Sequence, residues 1–516
     1  MRKIYFILII VQTVSFSQSF QWVDFPSITF TGNSRLIGYP ITTDIDGNVF
    51  LTGYKNNQLN YGEIYGALYF RKYNSQGQLV FDKEFLGTSN AHNIISDSNG
   101  NILIALHFKN SITIDNLTIT AQSQGIQPLL LKFDNLGNLL WFKEIKDLNA
   151  DADFFKAVSI DSSDNVYVGY DNFINSYITK LSPTGALLFT INQFNVNLIT
   201  SLSVDSLGNI YAAGSCAQVG ATYNGIAAPT NFEYNTYVVK YSNTGVFQWT
   251  KYVQDITCAE PILAISSPNE IYISSRLYAS FPFDTITIEG LNSSEEFFVA
   301  KLDASGNYLW VKKVPNISSS GTATIGNRNF LTSDTFGNVY FGGRTSGNVD
   351  WSSAISTNIL PPDNYDLLIL KYNSQGEVIM AKTAGGATLD RIDGFSVSPD
   401  GSIYTSGMVN GNSYFDTITH QVSSTGAYPF ISKISQTLSN NTNSQAIVKL
   451  FPNPATDRIY LSNLVENTSG NIYNVLGQQL LHFEIFDNTP ILIQNLSTGV
   501  YYLTIDNGET FKFIKK

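Results

Sequence analysis

Short apolar runs rich in β-branched and aromatic residues follow one another along nearly the whole chain, separated by turn sequences of Asp, Asn, Ser and Gly. Runs of this kind, bounded by turn residues, are typical of β-strands. An apolar run at 4–14 lies at the N-terminus, and no other stretch is apolar and long enough to cross a membrane. The pattern therefore predicts an all-β chain of many short strands.

One turn sequence recurs: Asp, two variable residues, Gly or Asp, Asn, then a β-branched and a large residue. Asp can accept hydrogen bonds from the amides ahead of it, and Gly or Asn can adopt φ > 0, so each copy is predicted to join two strands. The copies lie at 44–50, 97–103, 161–167, 205–211 and 334–340, with weaker copies at 266–272 and 398–404. Six intervals between Asp44 and Ser398 give a mean period of about 59 residues.

A second segment alternates with this turn. It contains a strand with a lysine, a turn ending in Gly, and a large side chain four residues after that Gly. The lysines are Lys72, Lys132, Lys180, Lys240, Lys301, Lys371 and Lys433. The large residues are Phe81, Trp141, Phe189, Trp249, Trp310 and Met380. We expect the large residues to fill gaps between neighbouring sheets, with ligand stacking as the alternative. We expect the lysines to be solvated or to snorkel along a strand, with a functional basic ring as the alternative.

The seventh copy lacks its last strand, which the other end of the chain supplies. Phe20-Gln-Trp22 matches Phe247-Gln-Trp249 of the fourth copy, so Trp22 takes the seventh large position. A closed ring leaves no exposed strand edge. We therefore predict a seven-bladed β-propeller at 18–435, closed by the N-terminal strand. The repeats resemble the β-propeller repeats of secreted bacterial proteins, a family with no fixed activity, and the segments of variable length within each repeat are the expected place for specificity.

The N-terminus predicts export. Arg2 and Lys3 precede the apolar run 4–14, which is shorter than the roughly 20 residues that span a bilayer. Residues 1–17 are therefore interpreted as a signal peptide that leaves Gln18 as the mature N-terminus, with a membrane anchor as the alternative. The mature form is expected to contain no transmembrane helix.

The C-terminus differs in sequence from the repeats. A polar linker at 436–447 precedes 448–516, where short strands and turns predict a small immunoglobulin-like β-sandwich. The characteristic residues are Phe451, Pro452, Asn453, Pro454, Tyr473, Gly477, Leu496, Gly499 and Tyr501. In this order they resemble the type A sorting domain of the Bacteroidota-like type IX secretion system, with an ordinary sandwich module as the alternative. The resemblance implies passage through the periplasm, export by the type IX machinery, and a sortase-like peptidase that releases the protein or anchors it at the cell surface.

Charge and cysteine content narrow the candidate partners. The net charge is −11 and no basic cluster occurs outside the termini, so nucleic acid is not expected as a partner. Cys216 and Cys258 are the two cysteines, and an exported protein permits a disulfide between them, with two buried thiols as the alternative.

No catalytic motif stands out. Four histidines are scattered without a metal-ligand spacing, and the nucleophile-elbow and zinc-protease motifs are absent. Asp44 and Asp46 lie in a turn with only a vague likeness to a calcium loop, so no catalytic, cofactor or metal residue is assigned. The favoured function is a non-enzymatic binding scaffold for an unknown glycan or protein. The alternatives are a polysaccharide hydrolase or lyase with acidic residues at the propeller mouth, and a structural surface-layer component.

Overall fold

The computed structural model describes residues 17–27, 38–55, 58–60, 63–122, 126–145, 154–230, 232–255, 257, 259–278, 280–290, 296–315, 321–359, 365–386, 389–422, 426–437, 449–462, 468–475, 477–486, 489–505 and 510–516. Every regular element in these ranges is a strand, so the all-β prediction is confirmed. None of the described residues forms a helix able to cross a membrane. The predicted signal peptide, except Ser17, and most of the predicted linker lie outside these ranges. The chain forms two compact units, Gln18–Gln436 and one that includes Thr437–Lys516.

The larger unit contains thirty-six strands in its described part. They are β1 Ser17–Asp24, β2 Ile41–Thr43, β3 Val49–Tyr54, β4 Gln58–Asn60, β5 Glu63–Tyr73, β6 Leu79–Ser96, β7 Ile102–Ile114, β8 Leu117–Thr120, β9 Ile126–Phe133, β10 Leu139–Glu144, β11 Phe154–Ile160, β12 Val166–Asp171, β13 Ser176–Leu181, β14 Leu187–Val204, β15 Ile210–Tyr223, β16 Ile226–Ala227, β17 Asn235–Tyr241, β18 Phe247–Gln254, β19 Ile262–Ser267, β20 Glu270–Leu277, β21 Ser280–Phe283, β22 Ile286–Glu289, β23 Glu296–Leu302, β24 Tyr308–Lys313, β25 Thr322–Ile325, β26 Leu331–Ser333, β27 Val339–Ser346, β28 Asn348–Asp350, β29 Ser356–Asn358, β30 Asp366–Tyr372, β31 Val378–Gly386, β32 Arg391–Val397, β33 Ile403–Asn410, β34 Ser413–Phe415, β35 Ile418–His420 and β36 Ala427–Thr437.

Within each repeat the strands pair in chain order. The fifth repeat shows the pattern, an antiparallel sheet β19-β20-β23-β24 whose first strand precedes the Asp-type turn and whose third carries the lysine. Strands β6 and β14 are long enough to end one repeat and begin the next, which merges neighbouring sheets. In the last repeat the N-terminal strand β1 completes the sheet β1-β36-β33-β32.

The recurrent Asp is what closes each turn. The Asp44 carboxylate accepts the backbone N–H groups of Asp46 and Asn48 at 3.0 and 2.9 Å, and the Asn48 side-chain amide at 2.8 Å. The same bonds form at Asp97, Asp205 and Asp334. Each of these carboxylates therefore accepts hydrogen bonds within its own turn.

The buried cores lie between the sheets of consecutive repeats. One cluster joins Tyr211 and Val238 of the fourth repeat to Ile273 and Phe298 of the fifth. Another joins Tyr404, Met408 and Ile431 of the last repeat to Phe50 and Tyr69 of the first. Bulky apolar side chains between facing sheets supply most of the free energy that holds such layers together. The last and first repeats therefore share a core in the same way as sequence neighbours do.

The variable segments form small hairpins beside the main sheets. Examples are β7–β8, β21–β22 and β34–β35. Their tips carry Asp115, Asp284 and Asp416 with positive φ, and each tip forms an ion pair with a lysine on the last strand of the preceding repeat: Lys83, Lys251 and Lys382, respectively. These hairpins are thus tied to the neighbouring repeat.

The smaller unit contains two antiparallel sheets, of order β37-β38-β41 and β40-β39-β42-β43. Its strands are β37 Lys449–Phe451, β38 Arg458–Ser462, β39 Thr468–Asn474, β40 Gln479–Ile485, β41 Ile491–Leu492, β42 Gly499–Ile505 and β43 Thr510–Lys515. Ile459, Leu461, Ile472, Leu503 and Phe513 are among the residues that form its own buried core. The unit can therefore hold its fold through its own contacts.

Candidate functional site

The repeated lysines form buried hydrogen bonds and ion pairs. Lys132 lies 2.9 Å from Asp97, with side-chain exposures of 4% and 1%, and Lys301 lies 2.7 Å from Glu270. Lys72 and Lys240 are also buried. The expectation of solvated or snorkelling lysines is therefore wrong at these four positions, because each ammonium is held inside by oxygen atoms of its own or the next repeat.

Each of four lysines shares a backbone carbonyl of the next repeat with a tryptophan. Both side chains donate a hydrogen bond to that oxygen, at 2.9 to 3.4 Å. Pro183 accepts from Lys132 and Trp141, Ala304 from Lys240 and Trp249, Ser374 from Lys301 and Trp310, and Ser75 from Lys433 and Trp22. The indole N–H groups are used in this way, which supports the packing assignment over ligand stacking.

The large side chains also cover the turn glycines. Each glycine has φ between 77° and 84°, and a Cβ added to it would lie 2.6 to 3.4 Å from the ring of the preceding repeat. The pairs are Trp22 with Gly77, Phe81 with Gly137, Trp141 with Gly185, Phe189 with Gly245, Trp249 with Gly306, and Trp310 with Gly376. Met380 instead packs against the cluster that contains Phe20 and Phe415. Glycine is required at these turns for both its φ and its lack of a side chain.

The sorting-domain residues lie in two parts of the smaller unit: at the end of β37 and the segment after it, and in or beside the sheet β40-β39-β42-β43. Asn453 accepts the backbone N–H of Ile514 at 3.0 Å and donates to the Lys512 carbonyl at 2.9 Å, which ties the Phe451–Pro454 segment to the final strand. Tyr501 stacks on Phe513 at 5.6 Å between ring centroids. Gly477 occupies a turn with φ 78°, and Leu496 and Gly499 precede or begin β42. Cys216 is buried, whereas Cys258 lies outside the described residues, so their pairing stays a prediction.

A cavity of about 290 Å³ lies where the first strands of several repeats approach one another. Its charged residues are Lys156, Glu260, Arg276 and Arg328, and its polar residues include Asn90, His92, Thr200 and Asn329. Lys156 and Glu260 form a close ion pair. Burial disfavours ionisation of Glu260, but Lys156, Arg328 and Arg276 outweigh it and lower the pKa of that carboxyl. Among the described lining residues Glu260 is the one carboxylate, beside three cations.

His92 is held neutral within this cavity wall. It is 4% exposed, its ring contacts His107 edge to face at 4.5 Å, and its Nδ1 lies 2.7 Å from Nη1 of Arg328. Burial, with the nearby cations Arg328 and Lys156, holds the pKa of His92 well below its usual range. Because a guanidinium can only donate, Nδ1 of His92 accepts the bond and the ring proton resides on Nε2. Neither His92 Nε2 nor Asn90 Oδ1 has a hydrogen-bond partner among the described residues.

Sequence reasoning missed this cavity, although a periodic signal for it exists. The residue five positions before each recurrent turn is Tyr39, His92, Lys156, Thr200, Pro261, Asn329 or Asp393. Four of these seven line the cavity. The signal is one position of the repeat at which the residue, usually polar, changes from copy to copy. The variable hairpins, where specificity was expected, supply none of the described residues that line the cavity.

A pair of carboxylates, the buried Asp390 and the half-buried Asp366, lies elsewhere, between the last two repeats. A Cβ on Gly385 would collide with Asp390 Oδ2 and lie 2.9 Å from Asp366 Oδ1, so the two acids are close neighbours. Asp390 accepts the backbone N–H groups of Gly386 and Asn410 at 2.6 and 2.8 Å. Burial raises the pKa of Asp366 to about 6, and burial together with the charge of Asp366 raises that of Asp390 to about 8. Two such acids favour sharing a proton.

In the comparison with known proteins, residues 449–516 match the secretion system C-terminal sorting domain. The chain is also 22% identical over 447 residues to an uncharacterized WD repeat-containing protein of Acanthamoeba polyphaga mimivirus, covering 65% of this chain and 31% of that relative. The chain thus spans about a third of the length of the curated relative it matches.

Among solved structures, a streptogramin B lyase is 12% identical with a TM-score of 0.41, and the alignment covers 81% of this chain and 98% of that one. A hydrazine synthase of Kuenenia stuttgartiensis is 11% identical with a TM-score of 0.40, covering 73% and 94% of the two chains.

The repeat of antiparallel sheets and the sorting domain define the class. This chain is an all-β protein of repeated antiparallel sheets with a C-terminal secretion-system sorting domain. The resemblance of 448–516 to type IX sorting domains is confirmed, and the domain directs the protein to export.

Proposed function

We propose that residues 18–435 form a ring of seven blades, with β1 as the outermost strand of the seventh. A second cavity, of about 200 Å³, supports this arrangement because the first strands or adjoining residues of all seven repeats line it. It shares the lining residues Thr200, Ile262 and Asn329 with the charged cavity, so the two cavities are adjacent. The shared core of the last and first repeats and the bonds of Trp22 and Lys433 to Ser75 also support closure.

We propose that this ring is the ligand-binding part of an exported protein and that the charged cavity is its binding site. The observation that carries the proposal is the convergence of Lys156, Glu260, Arg276 and Arg328, contributed by three repeats, in one opening. Pockets with a few convergent polar groups on a rigid scaffold are the usual form of small-ligand sites. Two of these side chains lie on paired strands: Lys156 on β11, which pairs with β12, and Arg276 on β20, which pairs with β19.

The cavity favours binding over glycoside hydrolysis. Both common hydrolytic mechanisms use two carboxyl groups on either side of the scissile bond. The described lining offers Glu260 alone, and that carboxylate already pairs with Lys156. Asp366 and Asp390 are not among the described lining residues. A binding role therefore ranks above the hydrolase or lyase, and a structural surface-layer role ranks below both because it gives the charged cavity no task.

The location completes the proposal. The predicted signal peptide at 1–17 takes the chain to the periplasm, and the sorting domain then takes it across the outer membrane. A sortase-like peptidase either releases the mature protein or anchors it at the cell surface.

The experiment is a ligand screen with the purified secreted protein, using arrayed glycans and peptides, followed by affinity measurement for each hit. Lys156→Ala should weaken binding at least tenfold, because it removes a cavity cation and frees Glu260. Lys251→Ala is the matched control, since Lys251 forms an ion pair with Asp284 on an outer hairpin. Equal affinity in the Lys156 variant, or turnover of a hit, would contradict the proposal.

A further inference from the structure

We propose that Asp255 is the positioning residue of the charged cavity, because its carboxylate holds the segment that presents Glu260 to the ion pair with Lys156. Asp255 is not among the described residues that line the cavity, so it acts on the cavity through Glu260. This inference rests on the proposed function, since it explains how one wall of the same binding site is kept in place.

Glu260 lies on a connection between two repeats and not on a strand. β18 of the fourth repeat ends at Gln254, and β19 of the fifth begins at Ile262. The described residues between them include Thr257, Ala259 and Glu260, and all three line the cavity. At two other junctions β6 and β14 run without a break from one repeat into the next. This part of the wall is therefore formed by residues outside any strand, so contacts other than a strand ladder must fix it.

The Asp255 carboxylate supplies such contacts. One oxygen accepts the backbone N–H and the hydroxyl of Thr257 at 2.8 and 2.6 Å, and the other accepts the backbone N–H of Ala259 at 3.1 Å. The second oxygen also accepts the hydroxyl of Thr236 on β17 at 2.9 Å. Asp255 is 7% exposed, and its own N–H donates to the Tyr234 carbonyl at 3.2 Å. One buried side chain thus joins the connection to a strand of the fourth repeat, and a buried network of this kind makes the segment rigid.

The chain after Glu260 has an anchor of its own. The Pro261 carbonyl accepts the hydroxyl of Thr200 at 2.8 Å, and Thr200 belongs to β14. Loss of the Asp255 carboxylate would therefore release the chain on one side of Glu260 while the other side stays tied to β14. A variant of Asp255 tests the position of Glu260 without detaching the whole connection.

The ion pair of Glu260 is the feature of the cavity that Asp255 controls. Glu260 pairs with Lys156 on β11 of the third repeat, so the pair joins two repeats that do not follow one another in sequence. The energy of an ion pair depends on the separation and alignment of the two groups. A displacement of Glu260 by about 1 Å is enough to loosen such a contact. The reactivity of the Lys156 amine therefore reports on the position of Glu260.

The test measures the rate at which sulfosuccinimidyl acetate acetylates Lys156 in the full secreted protein, followed by peptide mass spectrometry. Glu260→Gln should raise this rate about threefold, because a paired ammonium must leave its carboxylate before it reacts. Asp255→Ala should raise it by a similar factor, and the double variant should react no faster than Glu260→Gln alone. Asp255→Asn, which keeps one of the two accepting oxygens, should give a smaller increase.

Two controls separate positioning from a general loss of structure. Lys251, which forms its ion pair on an outer hairpin, is acetylated in the same samples, and its rate should be equal in all of them, whereas a loosened fold would raise both rates. Asp134→Ala is the matched variant, because Asp134 also accepts backbone N–H groups of its own turn. It should leave the Lys156 rate unchanged. Circular dichroism verifies that each variant is folded, and Asp255→Asn decides if Asp255→Ala does not fold.

The outcomes separate this inference from the proposed function. An unchanged Lys156 rate in the Asp255 variants, beside a raised rate in Glu260→Gln, overturns the positioning role. Effects that multiply in the double variant also overturn it, because Asp255 would then act by a route other than Glu260. An unchanged rate in Glu260→Gln overturns the ion pair on which the inference stands. The labelling uses no ligand, so the array screen decides the proposed function independently of these results.

Discussion

Lys433 and Trp22, from the two ends of the repeat array, donate hydrogen bonds to the same carbonyl oxygen of Ser75, at 3.1 and 3.3 Å. Three other lysine–tryptophan pairs do the same with the repeat that follows them. The junction of the last and first repeats is therefore built like an internal one. It differs in a single respect, since its outer strand comes from the N-terminus.

The first prediction concerns this junction. Trp22→Ala should lower the free energy of unfolding by about 2 to 4 kcal/mol, because it removes a half-buried ring and its bond to Ser75. Trp22→Phe should cost only about 1 kcal/mol, since Phe81 and Phe189 fill the equivalent place in two other repeats. Denaturant unfolding of the secreted protein measures both. Equal stability of Trp22→Ala and the wild type would contradict a closing role for β1.

The second prediction concerns the turn glycines. Gly306 and Gly225 have nearly the same φ, 84° and 82°, but a Cβ would lie 2.9 Å from Trp249 at Gly306 and meet nothing within 4 Å at Gly225. Both alanine variants should lose about 1 kcal/mol from backbone strain. Gly306→Ala should lose about 1 to 3 kcal/mol more, because the indole must move. Equal losses in thermal or denaturant unfolding would show that the tryptophan does not restrict this turn.

How far the sequence predicts this molecule depends on whether a feature repeats. The Asp turns, the lysines, the large side chains and the match of Phe20-Gln-Trp22 to an internal strand recur, so pattern alone locates them. The ion pair of Lys132 with Asp97 was missed because strand propensity says nothing about which buried polar groups meet across a sheet. The cavity was missed for the opposite reason. Lys156, Glu260 and Arg328 lie at constant positions five or six residues before the recurrent turn, but the residue types there change from copy to copy, so the charges form no repeated pattern.

The third prediction concerns pH. The pKa values of Asp366 and Asp390, about 6 and about 8, exceed the usual value for aspartate of about 3.9. The folded protein therefore binds more protons than the unfolded chain between about pH 4 and 8, so these acids reduce stability as pH rises through that window. Asp390→Asn should remove most of this slope, and its stability relative to wild type should rise by about 2 to 4 kcal/mol from pH 5 to 8. The variant also loses hydrogen bonds that the Asp390 carboxylate accepts, because an amide NH₂ replaces one oxygen. This loss costs the same free energy at every pH, so it does not change the slope of stability against pH.

Asp303→Asn is the matched control for this slope. Burial of Asp303 is outweighed by the amides of Asn307 and Ser305, which hold its pKa below the usual value. The Asp303 carboxyl is ionised in both the folded and the unfolded chain from pH 5 to 8. The unfolding free energy of this variant should therefore differ from that of the wild type by the same amount over that range. If the difference in unfolding free energy between Asp390→Asn and the wild type were the same at every pH, the proton-sharing pair would be contradicted.

The last prediction concerns export. Deleting 449–516 should leave the protein in the periplasm of a bacterium that carries the type IX machinery, because the sorting domain lies in that segment. The truncated chain should still fold, since the larger unit has buried clusters of its own. Asn453→Ala is the finer variant. It removes two bonds to the final strand without deleting any segment, and it should lower the exported fraction if the machinery reads this end of the domain. Cell fractionation with immunodetection measures both, with Asn138→Ala in a turn of the larger unit as the control that should export normally. Appearance of the truncated chain in the medium at the wild-type level would contradict the role of the domain.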